Sequence, residues 1–138
     1  MADGIRLSAA IIFVRHLSRS VAFYRELLDL EELNTSATAA LLSGGGGTQL
    51  VLRATGENAA QSLGSIGIQY LAWAVPTKAD LEHRTDILRR HDAYRETRSD
   101  SGVTVVEGRD PDDLTVLLLQ ADDARAMMHV LPARIYAL

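Results

Sequence analysis

The chain contains no cysteine, no long apolar run and no excess of positive charge, and each absence removes a class of function. Without cysteine there can be no disulfide staples and no thiolate zinc site, which agrees with a reducing interior. No stretch approaches the roughly 18 consecutive apolar residues that a membrane-spanning helix needs. The opening Met1-Ala2-Asp3-Gly4 is acidic and builds no basic segment followed by an apolar one, so no secretory signal and a cytoplasmic location are expected. The 14 basic and 18 acidic side chains leave a formal charge of −4, which argues against nucleic acid, because neutralising phosphates takes a cluster of Lys and Arg. The densest basic patch, Arg84, Arg89, Arg90, Arg95 and Arg98, is interrupted by Asp86, Asp92 and Glu96 and reads as a solvated, charge-mixed face.

What is present suits a packed domain. The length of 138 residues fits one compact domain or two very small fused modules, and 47% hydrophobic with 23% charged residues argues against disorder. Leu7 to Val14 is an almost unbroken apolar run and reads as a buried strand. Val21, Tyr24, Leu27 and Leu28 then recur at helical spacing, with Ser18 or Ser20 available to cap the helix start. Shorter strand-like segments follow over 32–36, 37–43 and 48–53, and Gly44-Gly45-Gly46-Gly47 reads as the turn of a hairpin. A phosphate-binding loop would need a helix after those glycines, and no helical pattern follows them.

The polar, small-residue stretch 55–65 reads as a linker, and after it the plan repeats. Residues 66–75 read as a strand ended by Pro76, and 78–90 as an amphipathic helix through Leu81, Thr85 and Leu88. Residues 93–98, 102–107 and 114–120 read as three strands. Val14 aligns with Val75, and Val51 with Leu117, so each half is a strand, a helix and three strands. Neither half alone could cover both faces of its sheet; fused, they could share one layer of helices and leave a concave face for a ligand. The expectation is an α+β fold of two tandem βαβββ modules, module one at 6–54 and module two at 66–120, forming a concave mixed sheet with helices outside. Acidic Asp122-Asp123 followed by 124–131 predicts a C-terminal helix, ended by Pro132, with an apolar tail to Leu138.

Over about 6–120 this order resembles the vicinal-oxygen-chelate superfamily of glyoxalases, extradiol dioxygenases, and fosfomycin- and bleomycin-resistance proteins. The resemblance rests on Phe13, Val14, Leu17, Ser20, Phe23, Tyr24 and Leu28 in the first strand and helix, and on Leu71-Ala72-Trp73 with Val75. It rests equally on Arg109-Asp110-Pro111-Asp112-Asp113, which is similar to the family's Asp-Pro-Asp-Gly turn with Asp113 in place of glycine. Phe23 and Tyr24 also suit plain packing of the helix on its sheet, and Asp110-Pro111-Asp112 is ordinary turn chemistry.

The resemblance implies a divalent metal held by His, Gln or Glu from the first and last strand of each module, where it polarises two substrate oxygens. Carried over by register, those positions are Ala9, Val51, Tyr70 and Leu117. Three aliphatic side chains offer no electron pair, and a lone phenol is a poor anchor, so no metal and no cofactor are expected. His16, His83, His91 and His129 fall on turns and helices rather than in the hollow; Gln69 could enter it only by a strand slip that would also turn Leu71 and Trp73 inward.

Alternation then predicts the lining of the hollow. Ala9, Ile11 and Phe13, Gln49, Val51 and Arg53, Tyr70, Ala72 and Ala74, and Thr115, Leu117 and Leu119 should face it. Ile12, Val14, Leu50, Leu52, Leu71, Trp73, Val75, Val116 and Leu118 should face the helices. The expected ligand residues are Phe13, Gln49, Val51, Arg53, Tyr70, Ala72, Thr115 and Leu117. Phe13 and Tyr70 could stack on a planar ring, and Arg53 and Gln49 could meet a carboxylate, phenol or carbonyl. By analogy with metal-free resistance proteins, the chain is expected to be a homodimer that binds a planar or amphipathic natural product rather than an enzyme. The alternatives are a metal-independent isomerase or cyclase with Tyr70 as acid and Arg53 as oxyanion partner, a metal enzyme with displaced ligands, and a regulatory module whose hollow is self-filled.

Overall fold

The computed structural model describes residues 4, 5, 7–56, 68, 71–100 and 102–122. Within them lie eight strands and two helices, in two compact units divided after Ser62. In the first unit β1 (Ala9–Val14) leads into α1 (Leu17–Leu28), then β2 (Glu31–Thr35), β3 (Ala39–Ser43) and β4 (Gln49–Ala54). The second unit repeats the order with β5 (Leu71–Ala74), α2 (Lys78–Arg90), β6 (Tyr94–Asp100), β7 (Val103–Arg109) and β8 (Thr115–Ala121). The sheets are ordered β1-β4-β3-β2 and β5-β8-β7-β6, each with one parallel pair, β1 with β4 and β5 with β8, among antiparallel ones. The α+β, twofold βαβββ plan read from the sequence is therefore present. The expected linker lies outside the described residues apart from Thr55 and Gly56, as do the first part of the 66–75 strand apart from Ile68, and the C-terminal helix and tail.

The repeat extends to details that periodicity does not reveal. Both helices end on a left-handed aspartate, Asp29 at φ 55° and Asp92 at φ 55°, followed by an amide bonded five residues back: Leu30 to the Arg25 carbonyl and Ala93 to the Leu88 carbonyl. That is the six-to-one bond of a Schellman stop, and a short polar side chain is the best substitute for glycine there. Both second strands carry a bulge, between Glu32 and Asn34 in β2 and between Tyr94 and Glu96 in β6. The hairpins before β4 and β8 also match. Gly44 N–H bonds the Thr48 carbonyl and Asp110 N–H the Leu114 carbonyl, with Gly47 at φ 79° and Asp113 at φ 67° in the left-handed position. One turn relies on glycine; the other uses the Asp110 carboxylate, which accepts from the amides of Asp112 at 2.8 Å and Leu114 at 2.9 Å.

Each sheet packs one face on its own helix. Leu42, Leu50 and Leu52 are fully buried with Leu27 of α1, and Val116, Leu118 and Val106 with Leu88 of α2. A leucine so placed stabilises the fold by about 1.5–3 kcal/mol relative to an exposed one. Phe23 and Tyr24 meet edge to face, ring centres 5.2 Å apart, and both are buried, so their role is packing. The helix starts differ from the sequence reading in one respect. α1 begins at Leu17 with His16 as N-cap and no side-chain cap, which puts Ser18 and Ser20 inside the first turn, where neither caps it. In α2, Thr77 does cap, accepting from the Asp80 amide at 3.0 Å. The basic patch is charge-mixed as expected: Arg84 pairs with Asp80, Arg89 with Asp86 and Arg98 with Glu96, and Arg89 also covers the Tyr94 ring at 4.5 Å.

Candidate functional sheet faces

In the first unit, pairing in β1, β4, β3 and β2 sets three rows on the face turned away from α1. They are Ala9–Gln49–Ser43–Glu31, Ile11–Val51–Leu41–Asn34 and Phe13–Arg53–Ala39. The burial alternation settles the direction, because Leu50 and Leu52 are fully buried while Ile11 and Phe13 are 66% and 61% exposed. Phe13, Gln49, Val51 and Arg53 thus share one face, as the two-residue period requires. Arg53 is exposed beside Phe13 and forms no ion pair among the described residues.

In the second unit the corresponding rows are Ala72–Leu117–Glu107–Glu96, Ala74–Leu119–Val105–Arg98, and Thr115 with Arg109. Direction is fixed by Gly108, where an added Cβ would lie 2.7 Å from a Leu88 methyl of α2. Its neighbours Glu107 and Arg109 therefore point the other way. Ala72, Thr115 and Leu117 share this face, and Tyr70 lies outside the described residues. Exposure is uneven across it. Ala72 and Ala74 are exposed, whereas Leu117 is 1% exposed and Leu119 is buried as well. Both parities of β8 are buried, so alternation tells which way Leu117 points but not that it meets solvent.

Sequence reasoning missed the polar half of this face. Glu107 is only 8% exposed, with Arg109 Nη2 at 3.5 Å from Oε2; Arg109 Nη1 donates to Thr115 Oγ1 at 2.8 Å. Glu96 stands opposite Glu107 across β6 and β7, and its carboxylate pairs with Arg98. Facing like charges repel, and Arg98 and Arg109 offset that repulsion. The signal was legible: Glu107 directly follows the strand-forming Val103-Thr104-Val105-Val106 and stands two residues before an arginine. Glu107 lies on β7, and only the pairing of β7 with β8 brings it beside Leu117.

The described positions of the expected metal set, Ala9, Val51 and Leu117, carry no lone pair. Glu107, the carboxylate nearest to Leu117 in register, already faces a guanidinium whose charge opposes a cation. Among the described residues no three His, Asp or Glu side chains gather where they could hold an ion. No described helix is long and apolar enough to cross a membrane.

Comparison with known proteins agrees with this architecture. The family described as Glyoxalase/Bleomycin resistance protein/Dioxygenase superfamily matches residues 6–118. A glyoxylase/bleomycin resistance protein/dioxygenase domain from Frankia sp. EAN1pec is 23% identical with a TM-score of 0.75, over 86% of this chain and 99% of that one. Lactoylglutathione lyase from Agrobacterium tumefaciens is 18% identical with a TM-score of 0.65, over 86% and 96%. The fosfomycin resistance protein FosX from Mesorhizobium loti is 15% identical with a TM-score of 0.64, over 98% and 99%. At these identities the likeness is one of fold. No functionally curated protein matches.

Proposed function

Because the chain belongs to the Glyoxalase/Bleomycin resistance protein/Dioxygenase superfamily, we propose that it is a metal-independent binding protein for a planar or amphipathic small molecule, sequestered on its apolar sheet surface. One observation carries this reading. Ile11 and Phe13 expose large apolar side chains on the sheet face that the family uses for chemistry, with Arg53 in register beside Phe13 and aliphatic side chains where ligating atoms would stand. Contiguous apolar surface left open to water marks a binding surface more often than an ornament of the fold. A flat ring can cover Phe13, and an anionic or carbonyl oxygen on it can meet Arg53.

The relatives include both enzymes and resistance proteins by name, so the choice rests on this chain's own side chains. Binding without a metal needs only shape and a few polar contacts; Lewis-acid catalysis needs ligands that Ala9, Val51 and Leu117 do not supply. A cytoplasmic location and a homodimer are companion proposals, checked by cell fractionation and by sedimentation.

Thermal unfolding with a panel of planar natural products, with and without chelator, tests the reading. A saturable rise in Tm that grows with free ligand and ignores chelator is expected, since binding at a hundred times Kd adds about 2.7 kcal/mol. No saturable rise across the panel, or stoichiometric metal that chelator removes with loss of stability, overturns it.

A further inference from the structure

We infer that the open sheet face of the first unit selects an elongated monocarboxylate: its acid group at Arg53, its flat apolar body over Ile11, Val51 and Leu41, and a hydroxyl at Gln49 and Ser43. The inference rests on the small-molecule reading above and names the ligand class that this face would take.

The face is banded. β4 presents Arg53, Val51 and Gln49 on one side at a two-residue period, so Arg53 and Gln49 stand about 13 Å apart along the strand. Pairing widens each position into a row. Phe13 lies beside Arg53, Ile11 and Leu41 flank Val51, and Ser43 and then Glu31 follow Gln49 across β3 and β2. Ile11, Phe13, Arg53 and Glu31 are exposed, and Val51, Leu41, Gln49 and Ser43 are half-buried, so every band reaches the surface. A cation, an apolar strip and a neutral polar row thus succeed one another along β4.

Charge sets the polarity of the ligand. Arg53 and Glu31 form no ion pair among the described residues, and the Gln49 and Ser43 side chains form no hydrogen bond there. Arg53 attracts an anion at one end of the face, whereas Glu31 repels a second anion at the other. Between those charges, the Gln49 amide and the Ser43 hydroxyl each donate and accept, so either matches a hydroxyl. A ligand with a purely apolar end would strip water from Gln49 and Ser43 without replacing it, and a polar group covered in that way disfavours binding.

Isothermal titration of the full-length protein at low ionic strength compares three probes: biphenyl-4-carboxylate, its 4′-hydroxy derivative and biphenyl-4,4′-dicarboxylate. The hydroxy acid should bind about three- to tenfold tighter than the parent acid, the value of one neutral hydrogen bond. The dicarboxylate should bind no tighter than the parent. Gln49→Leu should erase the advantage of the hydroxyl and leave binding of the parent acid intact, which damage to the fold would not do. Glu31→Gln, at an exposed position, should strengthen the dicarboxylate alone, by about two- to threefold. Equal affinity of the parent and hydroxy acids, tightest binding of the dicarboxylate, or a hydroxyl advantage that survives Gln49→Leu overturns the inference. Should Gln49→Leu fail to fold, unchanged dicarboxylate affinity in Glu31→Gln overturns it instead. In each of these cases the parent acid still binds, so the small-molecule reading stands. Failure of all three probes to bind overturns the inference and leaves that reading to the panel of planar natural products.

Discussion

Glu107 on β7 and Leu117 on β8 are register partners on the sheet face turned away from α2, so a carboxylate stands one strand over from a position that carries only an isobutyl group. The resemblance would set a carboxylate at Leu117 itself. In this chain that place is 1% exposed, and the nearest acid in register already has an arginine. Restoring the family's residue should therefore damage the fold. Leu117→Glu buries a second carboxylate beside Glu107 with no cation to spare, and should cost about 3 kcal/mol or more in urea unfolding at neutral pH. Leu117→Met conserves volume and should cost less than about 1.5 kcal/mol. Equal stability of the two variants would show that the face is open and wet at β8.

The left-handed aspartate of the second hairpin gives a backbone test. Asp113 holds φ 67° at the place where the first unit has Gly47 at φ 79°. Asp113→Gly relieves strain in the folded chain while loosening the unfolded one, so it should change stability by less than about 1 kcal/mol, toward greater stability. A β-branched side chain has no relief of that kind, and Asp113→Val should cost about 1–2 kcal/mol. Thermal unfolding that ranks valine level with glycine would mean the turn does not require this conformation.

Sheet register is what the sequence made most legible. Period-two alternation in β1 and β4, and the bounds of α2 from Lys78 to Arg90, follow from apolar spacing that one compact packing satisfies. Three features were not readable in that way. The cap of α1 shifted because the strand ends close to Leu17, leaving Ser18 and Ser20 inside the helix. The bulges at Leu33 and Arg95 change parity within a strand, which strict alternation cannot represent. The Glu107–Arg109–Thr115 cluster needs the pairing of β7 with β8, a tertiary fact that neither strand's own pattern contains.

Parity in the first unit has a direct check. Leu50 and Ile11 occupy the paired strands β4 and β1 but opposite faces, one fully buried and the other 66% exposed. Leu50→Ala should cost about 2–5 kcal/mol through lost burial and a residual cavity. Ile11→Ala should stay within about 0.5 kcal/mol, as exposed substitutions do. Guanidinium unfolding of the two variants decides it. A one-residue slip of β4 against β1 would reverse the order, since it would exchange the faces.

The same exposed face carries the binding proposal, and its two groups should fail in different ways. Phe13 and Arg53 are register partners across β1 and β4, so a flat ring bearing a carboxylate, such as 2-naphthoate, can cover the phenyl ring and reach the guanidinium together. Phe13→Ala removes the stacking surface and should weaken 2-naphthoate binding by about tenfold, with its salt dependence kept. Arg53 is exposed, and ion pairs in water are worth only about 0.2–1 kcal/mol, so Arg53→Gln should weaken binding two- to fivefold. It should also flatten the dependence on ionic strength, because the screened attraction has gone. Neither variant should alter the melting temperature of the free protein appreciably, which separates lost binding from lost folding. Isothermal titration of 2-naphthoate at low and high salt provides both readings. Unchanged affinity in both variants would place the ligand surface elsewhere than on the Phe13 face.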